Sequence, residues 1–169
     1  DLGPAHVAGS SWGGTVVLEL YRRHPNLVAT LIMIDTYAGW KGSLPATELR
    51  ARVVGTRQLL AAAEADFDPI FPVCLLGIRQ PATLERELRI MADADLSDLL
   101  PTITVPTLLV WGEADVRSPL NIARQFHEAI PESQLQVIVG AGHVSHLEQP
   151  AAFSTAVRAI CRAPNPPPR

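Results

Sequence analysis

A pentapeptide near the start of the chain, Gly9-Ser10-Ser11-Trp12-Gly13, restricts the fold more than any other stretch. It follows the short run Ala5-His6-Val7-Ala8, which reads as a buried strand. It precedes Gly14 to His24, which reads as a helix stopped by Pro25. A strand, a sharp turn and a helix in that order form a nucleophile elbow, a strained turn that lifts a serine hydroxyl clear of the backbone. Glycines on both sides of the serine are expected, because a Cβ there would collide where strand and helix cross. The helix start then directs free N–H groups and a partial positive charge at an anion forming beside Ser11. The competing reading is a glycine-rich strand-to-helix turn with no chemistry.

The pattern after the elbow alternates between strands and helices. Leu27 to Asp35 is a near-continuous apolar run, as expected of a strand covered on both faces. Thr107 to Trp111, between Pro106 and Gly112, is a second such run, and Leu135 to Val139, closed by Gly140, is a third. Ser118-Pro119 predicts a helix start, with serine as N-cap and proline at the first helical position, for a helix running to Ile130 before Pro131. Glu148 to Arg162 predicts a closing helix with Phe153, Val157 and Ile160 on one stripe. Short connections between such elements mean a parallel α/β sheet with flanking helices, in one domain built from residues 1–40 and 106–163.

Residues 41–105 interrupt this order without a convincing strand. Leu49, Val53, Leu60 and Ala63 fall near helical spacing, as do Leu84, Leu88 and Met91, and five prolines cut the segment into short helices. An insertion between two strands after the elbow is expected to lie over the carboxyl ends of the strands as a lid, where open α/β sheets bind ligands. Phe67, Phe71, Leu75, Leu76 and Ile78 are available to line a pocket beneath it. The alternative is a helical subdomain with a packing role only. Pro164 to Arg169 reads as an extended tail.

A serine hydroxyl needs a base to take its proton, and the base needs a carboxylate to orient it. His143 stands just beyond the last predicted strand, after Gly140-Ala141-Gly142; Asp115 stands just beyond the strand ending at Trp111. Each has rivals. Glu113 lies two residues before Asp115, Asp35 ends the preceding strand, and His146 lies one helical turn after His143. His146 is also expected to bond locally or to face the lid, and Ser10 is a further candidate for the substrate pocket. His6, His24 and His127 read as structural or exposed.

Composition narrows the partners. The 169 residues are 47% hydrophobic and 18% charged, and fourteen basic against seventeen acidic side chains leave a net charge of −3 without a basic run. Nucleic acid and anionic membrane are therefore not expected partners, and no stretch approaches a membrane span. Cys74 and Cys161 lack metal-ligand spacing, and no Gly-Lys-Ser/Thr follows Gly9 to Gly14, so neither a metal nor a nucleotide cofactor is expected. Nothing upstream of Asp1 bears on a signal peptide, so the compartment stays open, with the cytoplasm as the default.

The three segments Gly9 to Gly14, Pro106 to Asp115 and Gly140 to Pro150, in that order, resemble the carboxyl-terminal two-thirds of an α/β-hydrolase. The resemblance implies Ser11 as nucleophile, His143 as base and then acid, Asp115 as its partner, and the Trp12 backbone N–H as an oxyanion-hole donor. Serine at position 11, where related dehalogenases and epoxide hydrolases carry aspartate, implies acyl transfer on a small ester, lactone or related acyl compound without a cofactor. Cleavage of activated C–C bonds and perhydrolase chemistry would use the same three residues. Ser10 stands where many relatives have histidine. Such proteins also carry strands before the elbow, with a second oxyanion donor among them, and losing one donor costs on the order of 100- to 1000-fold in turnover. The strand at 5–9 is accordingly expected to be an exposed edge, open to self-association or to a partner chain, and the alternative to an enzyme is a non-catalytic fragment.

Overall fold

The computed structural model describes residues 3–63 and 81–162, and the side chains of 3–58 and 85–162. The described elements are β1 (Ala5–Ser10), α1 (Trp12–Arg23), β2 (Val28–Ile34), α2 (Ala46–Ala63), α3 (Pro81–Asp93), β3 (Thr107–Gly112), α4 (Leu120–Ala129), β4 (Gln134–Ile138), α5 (Ser145–Glu148) and α6 (Pro150–Arg162). Residues up to Ala38 together with those from Leu96 onward form one compact unit, and Gly39–Asp95 form another.

The first unit is built on a parallel sheet in the order β1-β2-β3-β4. Its register pairs Ser10 with Ile34, Ile34 with Val110, and Gly112 with Ile138. All four strands therefore end at one edge of the sheet, and the residues following each strand gather there. The central strands earn their apolar runs: β2 and β3 are covered on both faces, and Leu31, Met33, Leu109, Val110 and Trp111 are fully buried. On one face Ile32, Ile34, Leu108 and Val110 pack with Ile138, Ala141 and Ile160, and with Phe153 and Val157 of α6. The α6 stripe thus lies where its period placed it. On the opposite face the Trp111 ring tilts against Phe126 of α4 at 5.8 Å between centroids. Each fully buried leucine or phenylalanine here contributes about 1.5–3 kcal/mol.

The outer strands depart from expectation. In β1, Ala5, His6 and Ala8 are exposed and Val7 half-buried, because β1 pairs on one side only, with β2. β4 begins one residue earlier than its apolar run suggests, leaving Val139 in a turn and 74% exposed. Ser118 is not the N-cap of α4. The helix starts at Leu120, with Pro119 in the cap position, because the Ser118 hydroxyl donates instead to the Thr36 carbonyl at 2.6 Å.

The second unit holds α2 and α3, joined by the Arg57–Glu85 ion pair, with the Arg52 guanidinium over the Trp40 ring at 5.6 Å. Gly39, at φ 80°, lies so close to the Ala94 carbonyl that a Cβ would strike it. Phe67, Phe71, Cys74, Leu75, Leu76, Ile78 and the tail from residue 164 lie outside the described residues. No helix among the described residues is long and apolar enough to cross a membrane.

Candidate active site

Ser11 occupies the single residue between β1 and α1, at φ 53° and ψ −125°. A non-glycine residue held there costs about 1–3 kcal/mol, and such strain concentrates at functional sites. Three contacts hold it in place. The Ser11 N–H donates to the Ile34 carbonyl at 2.9 Å, the Ser11 carbonyl accepts the Thr36 hydroxyl, and the same carbonyl accepts the Gly14 N–H at 3.1 Å. Trp12 opens α1, where a helix leaves its first N–H groups without intrahelical acceptors.

The glycines divide their work differently from expectation. A Cβ on Gly9 would overlap the Gly13 carbonyl and the Gly14 backbone, as expected where β1 and α1 cross. A Cβ on Gly13 would meet nothing within 4 Å. The crowded position is Gly14, where a Cβ would overlap the Thr36 side chain. Gly14, outside the pentapeptide, is therefore the glycine that lets α1 approach the end of β2.

His143 Nε2 lies 2.9 Å from Ser11 Oγ, and His143 Nδ1 lies 2.9 Å from Asp115 Oδ2. The histidine keeps 15% of its side chain exposed and the aspartate none, so the imidazole has access to a ligand while its partner is sealed from water. The second Asp115 oxygen accepts the N–H groups of Arg117 and Ser118 at 2.7 and 2.9 Å, which fixes the carboxylate's rotation. Trp111 Nε1 donates to the Ser118 carbonyl at 2.7 Å and closes that loop over the strand end. The loop carrying His143 is held by Glu148, whose carboxylate accepts the N–H groups of Gly142 and Val144 on either side of it. The two loops touch: the Ala114 N–H donates to the Ala141 carbonyl at 2.9 Å, and a Cβ on Gly112 would overlap the Ala141 and Gly142 carbonyls.

The rivals are placed elsewhere. Glu113 turns its carboxylate to the Gly140 N–H at 3.2 Å. Asp35 is fully buried at φ 46°, and its carboxylate accepts the Gly112 N–H at 2.8 Å and the Ser145 hydroxyl at 2.6 Å. Burial raises the Asp35 carboxyl above the usual aspartate range, opposed by the hydrogen bonds from Ser145 and Gly112 and reinforced by the nearby Asp115 charge. His146 packs its ring against Phe153 at 5.8 Å, and its buried Nδ1 has no hydrogen-bond partner among the described residues. Ser10 ends β1, half-buried. Among the described residues no group of three or more His, Cys, Asp or Glu could hold a metal ion.

A model of the alpha/beta hydrolase family matches residues 1–156. The chain belongs to that family. Alpha/beta hydrolases similar to it include the pimeloyl-[acyl-carrier protein] methyl ester esterase of Aromatoleum aromaticum, 28% identical over 94% of this chain and 74% of that protein. The enzyme of the same name from Neisseria meningitidis serogroup C is 31% identical, over 92% of this chain and 68% of that protein. Among solved structures, an esterase from Exiguobacterium antarcticum matches with a TM-score of 0.72 and 25% identity, over 92% of this chain and 66% of that one. This alpha/beta hydrolase thus spans about two thirds of the length of that esterase.

Sequence reasoning gave no site role to Thr36, Ser118, Ser145 or Glu148. All four act on backbone groups or on a carboxylate at the strand ends. The available signal was their position: each lies within a few residues of a strand end or of a candidate site residue.

Proposed function

We propose that the chain carries the serine-nucleophile site of an esterase acting on a small carboxylic ester through an acyl-enzyme. The observation that carries this reading is the unbroken chain of hydrogen bonds from Ser11 Oγ through His143 to Asp115, 2.9 Å at each step. With Nδ1–H donated to Asp115, Nε2 is left as the acceptor for the Ser11 proton. Ser11 Oγ attacks the ester carbonyl carbon as His143 takes its proton, and the resulting oxyanion receives the Trp12 N–H at the start of α1. The tetrahedral intermediate collapses when His143 returns the proton to the leaving alcohol. Water, activated by the same imidazole, then attacks the acyl carbon and releases Ser11. Asp115 keeps the imidazole in the right tautomer and favours the imidazolium that forms. The esterase names of the relatives support an ester bond as the target, and the methyl ester of an acyl group held on a carrier protein is one such substrate.

The test is labelling with a fluorophosphonate probe, read by intact mass. One label per chain is expected on the wild type and none on Ser11→Ala. Equal labelling of both proteins rejects Ser11 as the nucleophile.

One observation favours a second reading alongside the first. The outer side of β1, with Ala5, His6 and Ala8 exposed, is an unpaired edge among the described residues. It supports self-association, or pairing with another chain, through strand addition.

A further inference from the structure

We propose that Asp35, with the adjoining Thr36, is the positioning residue for all three members of the Ser11–His143–Asp115 site, and that this role is why a carboxylate is kept buried there. The inference rests on the serine-nucleophile reading above and extends it to groups that touch no reacting atom. Asp35 follows the last residue of β2, so it lies at the middle of the sheet edge where the strand ends converge.

Its two carboxylate oxygens serve different loops. Oδ1 accepts the Gly112 N–H at 2.8 Å, at the base of the turn that presents Asp115. Oδ2 accepts the Ser145 hydroxyl at 2.6 Å and the Ser145 N–H at 3.3 Å, two residues beyond His143. The Asp35 N–H donates to the Val110 carbonyl at 3.1 Å, so the residue is itself anchored to β3. Thr36 completes the set. Its hydroxyl donates to the Ser11 carbonyl, and its own carbonyl accepts the Ser118 hydroxyl from the far side of the Asp115 turn. Two consecutive residues thus bind the elbow, the acid loop and the histidine loop to one strand end.

An isosteric apolar residue at position 35 would leave the Gly112 N–H and both Ser145 donors unpaired in a dry site. A buried carboxylate is the side chain that accepts from both loops at once, because both of its oxygens are acceptors only. Such a group is poorly explained by packing alone, since the desolvation of its charge works against folding. Fixing two loops to a fraction of an ångström is the purpose such an anion serves well, because misplacement of a base by about 1 Å costs on the order of 100-fold in rate.

The experiment compares the full-length wild type with Asp35→Asn, Ser145→Ala and an exposed control, Glu128→Gln. The low-field proton signal of the His143 Nδ1–H bonded to Asp115, the rate of fluorophosphonate labelling and the melting temperature are measured on each. Asp35→Asn is expected to keep the melting temperature within a few degrees, to lose or shift the low-field signal, and to slow labelling at least tenfold. Ser145→Ala is expected to move signal and rate in the same direction by less, and Glu128→Gln to move neither. A folded Asp35→Asn with the wild-type signal and rate overturns the proposal. Where Asp35→Asn does not fold, an unshifted signal in Ser145→Ala overturns it. Absence of the signal from the folded wild type also overturns it, since there would be no held pair to position. Wild-type chain that shows the signal but takes no label rejects Ser11 as nucleophile, and the spectrum still decides the role of Asp35.

Discussion

At the scale of single residues, Asp35 shows what a buried charge does to stability as well as to geometry. Its carboxyl is raised above the ordinary aspartate value by burial, so the native protein holds this proton more tightly than the unfolded chain. The associated stability is fully present below the ordinary value, about 4, and is lost as pH rises through the raised one. Asp35→Asn removes that loss. Its stability relative to wild type, from urea midpoints at pH 4 and pH 7, should therefore shift in the variant's favour as pH rises. A relative stability that falls instead would mean that the Ser145 and Gly112 hydrogen bonds outweigh desolvation. The convergence of Ser11, Asp115 and His143 was legible because each follows a strand, in an order that few other architectures produce. The choice among Asp115, Glu113 and Asp35 was not decided by sequence alone. All three are carboxylates at strand ends, and only the backbone path after each one determines which carboxylate meets His143 Nδ1.

At the scale of elements, β2 and β3 were plain because strands covered on both faces read as near-continuous apolar runs, broken within β2 only by the buried Thr30. The start of α4 was misread for a physical reason. A serine before a proline is a good cap in isolation, but the Ser118 hydroxyl finds a stronger demand in the Thr36 carbonyl, which lies 82 positions away in the chain. The crossing of β1 and α1 gives the sharpest test at this scale. Gly14→Ala would drive a Cβ into Thr36 and should cost at least about 2 kcal/mol in a denaturant titration. Gly13→Ala, in open space within a helix, should be neutral or stabilising by up to ~1 kcal/mol. Equal losses at both positions would mean that the pentapeptide's second glycine is needed for space after all. A helical turn explains why sequence reading chose the wrong one: only the backbone path decides which of two adjacent glycines faces the neighbouring strand.

At the scale of the whole molecule, the edge of β1 and the way the site is stitched together matter most. An exposed Lys in an edge strand deters strand addition. Ala8→Lys, at an exposed position of β1, should therefore shift the chain towards monomer on a sizing column run over a range of concentrations. A wild type that stays monomeric at every concentration would set the edge reading aside. The stitching has a consequence in time. The contacts that gather the site span 25, 77, 82 and 110 positions of sequence, whereas the helices close on neighbours three or four residues away. Contacts of such separation form late, after local structure is already in place. A newly made chain can thus acquire all of its helices, and still possess a serine, a histidine and an aspartate that have never met. The gathered strand-end site becomes the last feature the molecule gains, and an unfinished copy still holds these three side chains apart.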